Sequence, residues 1–388
     1  MTSAAVLPAL PLPAGVRSRI VDNHNGLRMH VLEAGFDDAS DRPAVLLLHG
    51  FPELAYSWRH VMLPLAQAGF HVIAPDQRGY GRTTGWDADY DGDLASFRLF
   101  NLTLDALGLV SALGHASVAA VVGHDFGSPV AACCALTRPD VFRSVALMSA
   151  PFPGLPDLPA LPFDRADGPV DVAAPCVDLR AELARLARPR KHYQWHYSTR
   201  GADAEMRHCP QGLHAFLRAY YHLKSADWPG NHPFELAANT AAELAKLPDY
   251  YVMDLHKGMA ETVAAQMPSA SQIEACRWLP EHELAVYSAE FARTGFQGGL
   301  QWYRCQTDGK SNADLRLFSG RRIEVPSCFI AGRSDWGPWQ SPGALPRMQA
   351  QGCRRMRGCH WIDGAGHWVQ QEQPAEVARL LLAFLREA

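Results

Sequence analysis

With 388 residues the chain is long enough to bury a large core, either as two or three domain-sized units or as one large domain with an insertion. Its 48% hydrophobic and 20% charged residues, with 31 Gly and 28 Pro, are ordinary for a folded protein and exclude disordered, collagenous and disulfide-scaffold classes. The 36 basic and 40 acidic residues leave a net charge of −4 with no run of Lys or Arg, so the positive field that a nucleic-acid partner requires is missing.

Met1 to Pro13 carries no basic segment and is broken by prolines, which makes it a poor signal peptide. No later apolar stretch approaches the roughly 20 residues of a membrane helix. The nine unevenly spaced cysteines suit a reducing compartment. A cytoplasmic protein, neither secreted nor membrane-spanning, is the expectation. From Arg17 to about Ala150, β-rich runs alternate with helical ones. Leu27 to Glu33 alternates like a strand, while Ala44 to Leu48, His71 to Ala74, Val118 to Val122 and Val145 to Met148 are continuously apolar. Continuous apolar strands between helices require cover on both faces of a sheet, and therefore mostly parallel strands with helical crossovers.

Seven prolines between Pro151 and Pro175 break this pattern and read as a long connection. Helical stretches rich in aromatics and histidines then run from about Ala181 to Gln306, among them 193–197, 213–223, 241–253 and 285–305. The strand signal returns from Val325 to Gly332 and from Arg357 to Ile362, and an amphipathic helix covers Pro374 to Leu385. The expected fold is α/β, with residues 1–150 and 322–388 forming a catalytic domain and 151–321 a helical lid inserted after the sixth strand.

The strongest chemical signal is Gly123-His124-Asp125-Phe126-Gly127, at the end of an apolar strand and the start of a helix of small residues. This is the setting of a nucleophile elbow, in which flanking glycines permit the sharp turn that lifts the middle side chain out of the sheet. The middle residue here is Asp. A carboxylate is already ionised at neutral pH and can attack an electrophilic carbon without a base to activate it, leaving an ester on the protein. The competing reading is an Asp that caps the next helix. His49-Gly50-Phe51-Pro52 follows the third strand, where the backbone N–H groups of Phe51 and Phe126 would form an oxyanion hole; a plain tight turn is the alternative.

Near the end of the chain, Gly364-Ala-Gly-His367-Trp368 places a histidine between the last strand and the last helix. An acid to orient it is needed between Asp125 and His367 in the chain. Asp335 after the strand ending at Gly332 is favoured, and Asp157 after the strand ending at Ser149 is its rival. His192 and His196 have the i, i+4 spacing of helical ligands, but no H-E-x-x-H accompanies them, and Cys353, Cys359 and His360 lack a second ligand pair. Neither a metal nor a nucleotide cofactor is expected.

His49-Gly-Phe-Pro-Glu-Leu-Ala-Tyr-Ser-Trp-Arg59, Asp76-Gln-Arg-Gly-Tyr-Gly81, Gly123-His-Asp-Phe-Gly127 and Gly366-His-Trp-Val-Gln370 together resemble the epoxide hydrolases of the α/β-hydrolase superfamily, including the soluble ones. The resemblance covers about Arg17 to Ala150 and Val325 to the end, and it implies two lid tyrosines that open the epoxide ring. Leu300-Gln-Trp-Tyr-Arg304 looks like the family's Leu-Asn-Trp-Tyr-Arg and makes Tyr303 one of them. Tyr193-Gln-Trp-His-Tyr197 is similar to the family's Tyr-Gln-x-Tyr and makes Tyr193 the other, with Tyr197 one turn away as its rival. Pro52, Trp302, Tyr197, Trp336 and Trp368 are the expected pocket lining. The implied partners are a small epoxide and water, and a homodimer is compatible with the resemblance.

Two features depart from the family: the lid is longer than usual, with Asp227 to Gln272 extra, and Phe126 stands where Trp is common. Haloalkane dehalogenases share the elbow Asp and the histidine, but they hold the halide with side-chain donors such as a Trp after the nucleophile, and fluoroacetate dehalogenases place an Arg there. Phe126 supplies neither. A non-catalytic ligand receptor on the same fold is the reading from a different class.

Overall fold

The computed structural model describes residues 7–37, 42–155 and 178–388. Its strands are β1 (Val16–Asp22), β2 (Arg28–Ala34), β3 (Ala44–Leu48), β4 (His71–Pro75), β5 (Val118–His124), β6 (Val145–Met148), β7 (Arg190–His192), β8 (Val252–Asp254), β9 (Ile323–Gly332) and β10 (Cys353–Ile362). Eight of them form one sheet in the order β1-β2-β4-β3-β5-β6-β9-β10, antiparallel where β2 meets β1 and β4 and parallel from β4 to β10. This is the α/β architecture expected from the continuous apolar runs.

Every residue of β3 is buried because successive side chains enter opposite cores. Leu47 and Val122 pack with Val61, Leu65, Leu381 and Phe384, from the helices Arg59–Gln67 and Pro374–Glu387. On the other face Leu46 and Val121 meet Leu102, Leu109 and Val130, from the helices Leu99–Ala112 and Gly127–Thr137. Burying a side chain of this kind stabilises the fold by about 1.5–3 kcal/mol. The second core continues without a break into the aromatic residues of the segment between β6 and β9.

That segment contains the helices Tyr193–Tyr197, Leu213–Lys224, Glu281–Thr294 and Gln297–Thr307, with a small antiparallel pair of β7 and β8. Three expectations change here and at the sheet edge. Only Ala241–Leu244 of the stretch 241–253 is helical, because the chain turns at Pro248 and Val252–Asp254 pairs with β7 instead. The stretch 285–305 belongs to two helices, broken at Gly295, whose φ of 67° ends the first. β10 starts at Cys353 rather than Arg357, since its first residues lie at the sheet edge and need no apolar pattern there. The proline-rich connection lies largely outside the described residues.

The lid helices are fastened to the sheet domain by polar and by close backbone contacts. Arg59 Nε donates to Glu283 Oε1 at 3.0 Å, and its Nη1 donates to Gln371 Oε1 at 3.0 Å. Ser57 Oγ lies 2.8 Å from Tyr287 Oη. At Gly298 the backbone of the helix Gln297–Thr307 rests on Gly79; a Cβ at Gly298 would land on the Gly79 carbonyl oxygen. Gly298→Ala must therefore shift a lid helix, and the expected cost is about 1–3 kcal/mol, read as a lower midpoint in thermal denaturation. Gly201→Ala, whose added Cβ meets nothing, is expected to change stability by less than about 0.5 kcal/mol.

Candidate active site

β5 delivers Asp125 at its carboxyl end, and the helix Gly127–Thr137 leaves immediately after it. The turn is too tight for side chains at its flanks: a Cβ on Gly127 would meet the carbonyls of Leu48 and His49, and one on Gly123 would strike the carbonyl of Gly127. Asp125 itself takes φ of 51°, a left-handed conformation that costs a non-glycine residue of order 1–3 kcal/mol. It is held there by its N–H, which donates to the Met148 carbonyl at 3.1 Å, and by its carbonyl, which accepts from Ser128 N–H at 3.0 Å. The side chain makes no capping bond to the helix. Its Oδ1 accepts from Phe51 N–H at 2.9 Å, and Oδ2 lies 3.3 Å from His367 Nε2. The helix-cap alternative for Asp125 is overturned by this geometry.

His367 sits in the loop after β10, and its Nδ1 lies 3.0 Å from Asp335 Oδ1. Asp335 follows β9 and also accepts from Gly337 N–H at 2.7 Å. The structure thus brings Asp125, His367 and Asp335 together, each less than one-tenth exposed. Asp157 lies outside the described residues. Burial disfavours the charged form of every group here, but it loses to their mutual attraction. Burial pushes the Asp125 carboxyl up, yet its contact with His367 and the charges of His367 and Lys224 hold it well below the usual carboxylate range. Burial and Lys224 push His367 down, while Asp335 and Asp125 carry it up to about 9. These directions favour a carboxylate beside an imidazolium in the resting site.

Asp125 opens into a cavity of about 370 Å³ that Tyr193, Tyr303, Phe126 and Trp302 also line. Tyr193 Oη donates to Gln340 Oε1 at 3.2 Å and accepts from Gln194 Nε2 at 3.4 Å. The two phenol rings are 5.8 Å apart between centroids. Burial, with the charge of Asp125 adding to it, pushes both phenols well above their ordinary range, so they remain donors. Phe126 meets Trp302 and Tyr303 edge-on at 5.2 and 5.1 Å, and its backbone amide donates to no acceptor among the described residues.

Four of the expected lining residues are elsewhere. Pro52 is buried, and its carbonyl accepts from Tyr221 Oη at 2.9 Å. Tyr197 Oη donates to Tyr220 Oη at 3.2 Å and does not line the cavity, which leaves Tyr193 as the phenol of that helix that does. Trp336 packs its ring against Phe234, and Trp368 meets the His367 ring edge-on while its Nε1 donates to the Tyr221 carbonyl at 2.8 Å. Only Trp302 of the five faces the cavity. His192 and His196 part company: the first accepts from Gln194 N–H at 3.4 Å and the second lies 3.2 Å from Glu205. Two residues near the site were not anticipated. Gln340 is remote in sequence from Tyr193 and had no signal. Lys224 had one, a cation on the same helical face as Leu217 and Tyr220.

Residues 43–174 match the model of the α/β-hydrolase fold family. The chain is 36% identical over 372 residues to epoxide hydrolase A of Mycobacterium tuberculosis, covering 95% of this chain and 96% of that protein. Among solved structures, an epoxide hydrolase from an endophytic Streptomyces superposes with a TM-score of 0.72 at 30% identity, covering 96% of both chains. Epoxide hydrolase I of potato, Solanum tuberosum, superposes with a TM-score of 0.70 at 27% identity, covering 96% of this chain and all of that one. A carboxylate at the elbow, an imidazole behind it and phenols lining the same cavity fit that company, and the chain belongs to the epoxide hydrolase family of the α/β-hydrolase fold.

Proposed function

We propose that the protein hydrolyses epoxides to vicinal diols through an ester on Asp125, with residues 1–150 and 322–388 as catalytic domain and 151–321 as lid. One observation carries the mechanism: Asp125 lines one cavity with Tyr193 and Tyr303, and its surroundings favour the carboxylate while theirs favour the neutral phenols. An epoxide oxygen bound by Tyr193 and Tyr303 leaves a ring carbon open to attack from the Asp125 side. The C–O bond of the ring breaks as the ester C–O bond forms, and the oxygen takes a proton from a phenol.

The proton inventory closes within the site. His367 begins as imidazolium, so it can return a proton to the tyrosinate, directly or through solvent, and become neutral. Esterification also removes the negative charge of Asp125, which was one cause of the raised imidazole. The neutral ring, oriented by Asp335, then takes a proton from water as that water attacks the ester carbonyl. The amides of Phe51 and Phe126 stabilise the oxyanion, and collapse returns the diol, the carboxylate and the imidazolium. No cofactor enters these steps.

Dehalogenation would require donors aimed at a departing halide. Trp302 Nε1 is committed to the Arg78 carbonyl at 3.0 Å, and Phe126 has no side-chain donor, which favours the epoxide. Among the described residues no helix is long and apolar enough to cross a membrane, and eight cysteines are unpaired; both suit the cytoplasmic location we assign. The partners in this reading are a small epoxide and water, without nucleic acid.

Tyr303→Phe and Tyr193→Phe should each slow ring opening, and the double variant should lose about 10²- to 10⁴-fold in single-turnover rate; a double variant with native turnover refutes the assignment. His367→Gln should open the epoxide more slowly and stall as an adduct of one substrate mass on the Asp125 peptide, seen by intact-mass and peptide analysis. Asp335→Asn should accumulate the same ester because its hydrolysis slows. In heavy-oxygen water a single wild-type turnover should leave label in Asp125, whereas label wholly in the diol would mean direct attack of water on the ring. The pH dependence has a definite sign. A group raised to about 9 is charged below that pH, so the ring-opening rate should hold at neutral pH and fall as pH rises through about 9. The stability that His367 contributes is likewise complete below its ordinary value and lost through the same upper range.

A further inference from the structure

Lys224 is the last residue of the helix Leu213–Lys224 and is only 3% exposed. It forms no ion pair among the described residues. Its Nζ instead lies over aromatic rings: 4.7 Å from the centroid of Tyr251, 5.2 Å from Tyr220, 5.7 Å from Tyr193, 5.8 Å from Trp368 and 5.9 Å from Tyr250. Such faces attract a cation, but none of them supplies the counter-charge that a buried ion ordinarily requires. The charge is therefore the feature that packing does not explain.

Its backbone is tied to the loop that carries the imidazole. His367 N–H donates to the Lys224 carbonyl at 2.8 Å. Glu372 accepts from Ala226 N–H at 2.8 Å, Gly366 N–H at 2.9 Å and Trp368 N–H at 3.0 Å, clamping the residues after Lys224 to both sides of His367. Asn231 Nδ2 donates to the carbonyls of Leu223 and Ser225 at 2.9 and 2.7 Å. Tyr193, one wall of the cage, is also a wall of the catalytic cavity, and Trp368, another wall, packs against the His367 ring at 4.7 Å. The ammonium thus sits beside the site while its own backbone is immobilised against the histidine.

We propose that Lys224 is a positioning residue for ester hydrolysis: its caged ammonium holds His367 in the neutral, base-competent form once Asp125 has been esterified. This rests on the ester mechanism given above. In the resting site Asp125 and Asp335 carry two negative charges, and His367 and Lys224 two positive ones. Esterification removes one negative charge, leaving Asp335 to retain the imidazole proton and Lys224 to oppose it. The other titratable neighbours of His367 are His124, with ring centroids 5.1 Å apart, Glu53, which lies 2.6 Å from His124 and, against its burial, is held below the usual carboxylate range by His124, His49 and His367, and Glu372, whose carboxyl burial pushes up to about 8. The tyrosines of the cage that are raised by burial, Tyr193, Tyr250 and Tyr251, stay neutral. The charge of Lys224 acts on His367 in the direction the proposal needs.

The experiment follows the decay of the alkyl-enzyme by quenched-flow mass spectrometry over a pH series, in wild type, Lys224→Met, Lys224→Arg and Glu372→Gln. Lys224→Met should move the lower pH limb of ester decay up by about one unit, so that decay below the limb is about tenfold slower and ester accumulates. Ring opening should change by less than about threefold, and Lys224→Arg should restore the wild-type limb. A Met variant whose ester decays with the wild-type midpoint overturns the proposal, as does a midpoint that follows Glu372→Gln instead. Should Lys224→Met not fold, Lys224→Gln decides by the same midpoint. Wild-type protein that turns over an epoxide without any ester would refute the mechanism itself, an outcome distinct from an ester whose decay ignores Lys224.

Discussion

The left-handed turn at Asp125 is the constraint on which the rest of the site is arranged. It points a carboxylate out of the sheet, toward the Phe51 amide on one side and His367 on the other, and it requires glycine at both flanks for the backbones to meet. The strain is tolerable because β5 lies between β3 and β6 in a sheet covered on both faces, so the turn is surrounded by structure that fixes it. Each neighbour then has one task that this position defines. β3 ends where an amide is needed, β9 ends where the acid is needed, and the loop after β10 carries the imidazole between them.

Much of this was legible in the chain because it depends on local chemistry. Runs such as Ala44 to Leu48 and Val145 to Met148 match strands residue for residue, since a strand buried on both faces has no polar positions to blur its ends. Asp125, His367 and Asp335 were readable because each follows a strand at a point where glycine marks a turn. The lid was less legible. Its residues answer to partners distant in sequence: β8 forms because β7 is there to pair with it, and Tyr197 faces Tyr220 rather than the cavity although it shares a helix with Tyr193. The pocket residues inferred from aromatic character alone suffered the same way, since Trp336 and Trp368 serve packing around the acid and the histidine.

Electrostatically the site is close to balanced at rest and is unbalanced only by its own reaction. The mutual attraction of Asp125, Asp335, His367 and Lys224 offsets the cost of their desolvation, and in the proposed mechanism the loss of the Asp125 charge on esterification is felt at once by the other three. The low-dielectric surroundings that make these charges expensive also make that change large. In this reading a covalent bond at Asp125 is both a chemical intermediate and the signal that converts His367 from an acid partner into a base.

β6 and β9 are neighbours in the sheet, paired in parallel from Val145–Ser327 to Met148–Ile330, although 174 residues separate Met148 from Ile323. Because the strands are parallel, the intervening chain leaves β6 at its carboxyl end and must cross over to enter β9 at the opposite end of the sheet, carrying many helices on the way. Lengthening such an excursion leaves the register of the strands beneath it unchanged, and its closure entropy grows only with the logarithm of its length. Shape selection and bond chemistry are thereby separable in this architecture: changes in the crossover can remodel the cavity, provided that Tyr193, Tyr303 and the contacts seating their helices are kept. The fold can diversify what it admits without redesigning what it does.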